Sequence, residues 1–442
     1  MVPQNKESFE RRMIVIQDVI RGLGQEGAEI TPVRWADDQA FPYNNFIYKV
    51  ELLSPALAEH FTGPEQAWRR QPCTDLPPTE GVSTAIVRMS NPRAMGLNNT
   101  NRIENEVAAM HLARGAIAQL GSRYSALVPA VYAWKAAAGP HPVDETGFGW
   151  IVMEYLTGSP LHKRFKSFDM AEKKLIITEI ASIFSSIQRV ELPPGVDCFG
   201  GFTINKEGKI ISGQETIQGA PGGPWREYHE VWRHQMLCQL KEADANELIQ
   251  GWRVHGIRER IEQFLNVTLR RVLQDAGVDM SKLGFVHFDF TMSNMLYDAE
   301  EKRISGIVDF DFAGVNNPAH EFFFTSLHDL HGTTREQKSD KLRQAILTGN
   351  FGASRDAGEE EHAEAWELAK LWDEVMGERG GLRPRDIRGM TTLAKLNTLT
   401  DMLFPWQLGS VDMLRRQTRE ENAKMRAKTE KAIDDMLSGW GV

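Results

Sequence analysis

Three observations predict an α+β chain of two lobes, a small antiparallel sheet followed by a larger, mainly helical part. Short runs rich in β-branched and aromatic residues crowd the first third of the sequence, with one strong helical pattern among them. A Thr-Gly-Ser-Pro stretch at 157–160 then breaks the pattern. Beyond it, apolar residues recur at helical spacing nearly to the C-terminus, interrupted by brief strand-like runs between 285 and 309.

Taken in order, residues 6–24 place Phe9, Met13, Ile16 and Ile20 on one face of a leading amphipathic helix. Strands are expected at 46–53, 84–89, 131–134 and 150–155, each bounded by Pro, Gly or Asn. A helix over 101–120 separates the second from the third. The lobes are therefore expected to divide as 1–152 and 153–442. In the second, helices are expected at 169–191, 226–240 and 256–275, and short strands at 285–286, 295–297 and 304–309. The tail from 336 to 437 reads as mostly helical, and the acidic run at 359–361 as a solvated turn.

Composition narrows the functional classes. A formal charge of -9 over 442 residues excludes nucleic acid as the main partner, because backbone binding needs a concentrated basic surface. The same acidity favours the approach of an amine-bearing small molecule. The amino-terminal stretch lacks the apolar core of a secretory signal, and no window approaches about 18 uninterrupted apolar residues. The expectation is a cytoplasmic protein with no membrane contact. Cys73, Cys198 and Cys238 lie far apart with no C-x-x-C spacing, so reduced thiols are expected rather than disulfides or zinc.

The chemistry concentrates in GFVHFDFTMSNMLYD, residues 284–298, and ISGIVDFDFAGVNNPAHEF, residues 304–322. Asp289 and Asn294 share a short loop between apolar runs, and Asp309 ends another such run. Two strands joined by a turn would bring these loop ends together. Phosphoryl transfer needs hard oxygen ligands for magnesium and an acceptor for the substrate hydroxyl proton, and this trio offers both.

The pattern His287-x-Asp289-x4-Asn294, followed by a strand ending in Asp309, resembles the catalytic loop and metal-binding element of the aminoglycoside phosphotransferase family. Choline kinases and, more distantly, protein kinases share it. Asp311 and Ala313 also resemble the residues that follow the metal Asp in the small-molecule branch. No protein-kinase A-P-E segment follows. The resemblance implies a two-lobe protein-kinase-like fold with a five-stranded sheet, and transfer of the ATP γ-phosphate, with Mg2+, to a hydroxyl of a small molecule. It implies Asp289 as base, Asn294 and Asp309 as metal ligands, and His287 as a buttress of the loop. In the first lobe it places Arg88 of STAIVRM on the nucleotide phosphates, held by Glu106, which points nearer the core than Glu104. It makes Met153, Glu154 and Tyr155 the segment that meets the adenine edge. The phosphate-covering turn would fall at 42–45, where Asn replaces the usual Gly.

Two alternatives stand beside this reading. One is a catalytically impaired kinase-fold binding protein, a pseudokinase; the other is a metal-dependent hydrolase using Asp289, Asp309 and Asp311. Other features read as ordinary structure: His328 and His331 as packing or surface residues, GAPGGP at 219–224 as a surface loop, and Trp225, Trp232 and Trp252 as core. DCFGGF at 197–202 is a further candidate for the cleft wall.

Overall fold

The computed structural model describes residues 4–25, 27–33, 42–62, 71–94, 96–217, 222–325, 327, 330–331, 339–352 and 363–442. Helix α1 (Phe9–Gly22) leads into strands β1 (Ala28–Val33), β2 (Asn45–Ala56) and β3 (Val82–Ser90). Helix α2 (Arg102–Ala118) precedes β4 (Val131–Lys135) and β5 (Trp150–Glu154). The five strands make one sheet in the order β1-β2-β3-β5-β4, with every pairing antiparallel.

Strand alternation decides what each face covers. Trp150 and Val152 of β5 join Ile16, Val19 and Ile20 of α1 in one cluster, whereas Ile151 joins Ile103 and Val107 of α2 in another. The second cluster runs on without a break into the helical part, so α2 is packed from both sides. Glu106 on this helix is buried and Glu104 only half-buried, as the helical periodicity predicts. Strand β1 was not among the expected strands. It contains Pro32, which an interior strand would reject but an edge strand paired only with β2 accepts.

The helical part begins at β6 (Ser159–Pro160) and α3 (Met170–Ile187). The β7–β8 hairpin (Gly201–Ile204, Ile210–Gly213) and α4 (Tyr228–Ala245) follow. Helix α5 (Ile257–Gln263) continues through a π turn into α6 (Leu269–Asp275). Four short strands, β9 (Gly284–Val286), β10 (Met295–Asp298), β11 (Arg303–Ile307) and β12 (Gly314–Asn316), flank the loops identified above. Helices α7 (Asp340–Thr348), α8 (Ala363–Glu378), α9 (Met390–Leu403) and α10 (Arg419–Gly439) complete it.

Several expectations change. The stretch at 157–160 is not a free linker, because β6 pairs with β10. A Cβ on Gly158 would lie 2.5 Å from the Ser305 hydroxyl, and its φ of +130° suits glycine. Asn45 opens β2 instead of sitting in a turn, and residues 42–44 are tied down: Asn91 N–H donates to Asn44 O and Asn91 Nδ2 to Tyr43 O. DCFGGF is absent from the walls of the cavity described below. Gly200 exchanges backbone hydrogen bonds with Val315 of β12, which builds the segment into the floor below the loops. Trp232 and Trp252 are fully buried, in keeping with a core role. His331 is buried and stacked on Phe184. His328, residues 219–221 and the run at 359–361 lie outside the described residues. The cysteines are free, and among the described residues no helix is long and apolar enough to cross a membrane.

Candidate active site

Two antiparallel pairings bring the predicted loops together. Strand β9 pairs with β12, and β10 with β11, so the segments 287–294 and 308–313 leave adjacent strand ends. Val308 N–H donates to Asn294 O at 2.9 Å and welds the two segments. His287 is fully buried. Its backbone N–H donates to Glu321 Oε2 at 2.7 Å, and its ring packs against Phe290 and Phe310. Burial pushes the imidazole down to about 4, so it sits neutral, as a packed support. Phe288 takes a φ of +64° and throws Asp289 outward, with Asp289 N–H donating back to His287 O.

Asn294 uses both amide hydrogens on Asp289, at 2.8 Å to Oδ2 and 3.0 Å to the carbonyl. Its Oδ1 is therefore free to serve as a neutral oxygen ligand. Burial, and then the nearby Asp309 carboxylate, lift Asp289 to about 7, while the Asn294 hydrogen bond pulls the other way. A carboxyl poised there can exchange a proton near neutrality.

Asp309 also stands at positive φ, +67°, and keeps 45% of its side chain exposed. Crowding by the protein raises its carboxyl and Arg88 opposes the rise; the open side chain lets water limit the shift. Asp311, two residues on, is 2% exposed and fully engaged. Arg102 grips it through two bonds, 2.7 Å to Oδ1 and 2.6 Å to Oδ2, and Asn45 and Arg88 reach Oδ2 at 3.1 and 3.2 Å. Burial alone would raise Asp311, but the two guanidiniums hold it down at about 2. It is thus no free metal ligand, which removes the three-carboxylate arrangement of the hydrolase alternative.

Arg88 lies buried on β3, with one arm on Glu106 and the other 3.5 Å from Asp309. The expected cation and its acid meet, and they meet beside Asp309. Of the segment expected at the adenine edge, Met153 and Glu154 lie inside the sheet ladder, and Glu154 N–H already donates to Ala130 O. Tyr155, 38% exposed, is the first residue past the ladder, so the free edge begins there.

A cavity of about 500 Å³ opens beside Phe288, the residue before Asp289. Glu215, Gln235, His320, Asn397 and Trp406 are among its walls. Glu215 is 4% exposed and burial raises it to about 8, a donor on Gln235 opposing.

Among the described residues no three His, Cys, Asp or Glu side chains converge to hold a metal ion. Asn294 Oδ1 and the half-open Asp309 nonetheless suit magnesium, which takes one or two protein oxygens and completes its shell with phosphate and water. The donor set fits a metal that arrives with a nucleotide. Sequence reasoning missed Arg102, Glu321 and Glu215, and placed Asn45 in the phosphate-covering turn rather than on Asp311. Only Arg102 left a signal, a cation in the first turn of a helix, against the helix dipole.

The chain matches the phosphotransferase enzyme family, APH, over residues 78–372. No curated protein matches it. Among solved structures, a protein of Ralstonia eutropha JMP134 provisionally assigned as an aminoglycoside phosphotransferase is 14% identical, covers 97% of each chain and has a TM-score of 0.45. Plasmodium vivax ethanolamine kinase is 12% identical over 98% of this chain and 90% of its own, with a TM-score of 0.43. The gentamicin complex of APH(2'')-IIa is 12% identical over 93% and 97%, with a TM-score of 0.42.

Proposed function

Because the chain belongs to the phosphotransferase enzyme family, we propose that it moves the γ-phosphoryl group of ATP to a hydroxyl of a small molecule. One observation carries the reading: Asp289, lifted to about 7, is hydrogen-bonded to an amide whose oxygen stays free, beside a half-open Asp309. The acceptor oxygen forms a bond to the γ-phosphorus as the bond from that phosphorus to the bridging oxygen breaks. The hydroxyl proton passes to Asp289, and ADP leaves with the bonding electron pair.

The ionised carboxylate of Asp289 orients the hydroxyl, and Asn294 keeps that carboxylate from rotating. Asn294 Oδ1 and Asp309 are the residues that would hold Mg2+, which when bound neutralises charge on the phosphate oxygens. Arg88, fixed by Glu106, supplies a permanent cation to the same region. We assign nucleotide binding to 1–152, with Tyr155 at the exit of the sheet, and the transfer loops with the acceptor cavity to 153–442.

The test compares wild type with Asp289→Asn for ADP formation over a panel of sugars, polyols and amino alcohols. The substitution is expected to lower kcat about 10²- to 10⁴-fold and leave the KM for ATP within about threefold. Tight nucleotide binding with no acceptor-dependent ADP formation in wild type would select the pseudokinase reading instead.

A further inference from the structure

The cavity beside Phe288 is a built polar site. Oε2 of Glu215 and Nε2 of His320 are both covered, and neither finds a hydrogen-bond partner among the described residues. Both side chains line the cavity, and both residues are at most 4% exposed. Buried polar atoms are ordinarily paired, so two orphans on one wall indicate a partner that the chain itself does not supply. Burial favours the neutral form of both groups, holding His320 down at about 3 and Glu215 up at about 8. Among the described residues the wall carries no Lys or Arg, and further neutral amides come from Gln235 and Asn397. Its other carboxylate among the described residues, Asp401, accepts from Asn397 at 3.5 Å. At the mouth, Trp406 and Phe324 stand 64% and 48% exposed, flat apolar faces on an otherwise polar cavity.

Neutral groups that both donate and accept match hydroxyls, and aromatic faces match the C–H side of a sugar ring. An ammonium group would call for a buried carboxylate, whereas burial favours the neutral form of Glu215, and Asp401, the other acid among the described wall residues, is exposed. We infer that the cavity takes a neutral polyhydroxylated acceptor, a sugar or sugar alcohol, whose hydroxyls pair with Glu215 and His320 while its carbon face lies on Trp406 and Phe324. This rests on the phosphotransferase reading and names its acceptor class. The volume of about 500 Å³ holds a ligand of that size.

The full chain with MgATP is assayed for ADP formation with D-glucose, D-ribose and D-sorbitol against D-glucosamine, choline and ethanolamine. A neutral compound is expected to support turnover with kcat/KM at least about tenfold above the amines. Glu215→Gln, which keeps a neutral donor and acceptor, leaves its KM within about threefold, whereas Glu215→Ala and Trp406→Ala raise it about tenfold or more. Stabilisation by MgATP reports that each variant is folded. Turnover confined to the amines overturns the inference, as does turnover with none of the neutral compounds while MgATP still stabilises the protein. Equal damage from Glu215→Gln and Glu215→Ala overturns it too. Failure of MgATP to stabilise wild type removes the phosphotransferase reading itself, and this one with it.

Discussion

Arg102 does at the residue scale what the strand cation alone could not. It donates to both oxygens of Asp311, to the carbonyls of Asn44 and Asn91, and to the side chains of Asn45 and Asn99. Its fork therefore ties the start of β2 and the loop after β3 to the acid that follows Asp309. Replacing it by Ala leaves the buried Asp311 carboxylate with only Arg88 and Asn45, at 3.2 and 3.1 Å, and is expected to cost about 3–5 kcal/mol. Lys keeps the charge but not the two-pronged geometry, so Arg102→Lys should recover only part of that loss. Denaturant midpoints of the two variants check the order. Were Lys to match wild type, the two-pronged grip would not be what matters.

Helix α2 is the element through which the two lobes meet. From one turn of it, Arg102 holds Asp311, Glu106 holds Arg88, and Asn105 holds both Phe202 N–H and Ala313 O at 2.7 Å. Asn105→Ala leaves a buried donor and a buried acceptor without partners, and the loss is about 2–4 kcal/mol. Nucleotide affinity should fall with it, since the loop bearing Asp309 loses its tie to α2; calorimetric titration with MgATP reads this. The apolar face of α2, and Glu106 on it, were legible because helical periodicity is a local signal. Strands β9, β10 and β11 were legible for the same reason, and the loops between them followed. Asn105 was not, because its partners come from segments about a hundred and two hundred positions away. Glu215 and Trp406 line one cavity from nearly two hundred residues apart, and no local pattern announces that. Strand β1 escaped because its Pro32 argues against a strand until its edge position is known.

Over the whole molecule, buried titratable groups set opposing pH limits. His287, His320 and His331 are held at about 4, 3 and 3 by burial, below an unfolded value of about 6.5. The folded state binds fewer protons there, so their contribution is present above pH 6.5 and is lost as pH falls toward these values. Glu215 and Glu321 are raised to about 8, burial being the main cause, so the stability they allow is lost as pH rises from about 4.5 through 8. Each contributes a slope of up to about 1.4 kcal/mol per pH unit; with Asp289, also raised by burial to about 7, three carboxyls oppose three imidazoles between about pH 4.5 and 6.5, and only the carboxyls act above it. Stability should level off between about pH 4.5 and 6.5 and fall above that, and Glu215→Gln should gain on wild type between pH 5 and 8 in urea unfolding. The same whole-molecule arrangement, two lobes joined at Arg88, Asp309 and Asp311, is what the proposed transfer depends on. It is tested most directly by thermal stabilisation of wild type and Asp309→Ala with ATP, with and without magnesium. A magnesium-dependent rise in Tm that Asp309→Ala abolishes is the predicted result; no rise in wild type, or an equal rise in both proteins, would contradict the assignment.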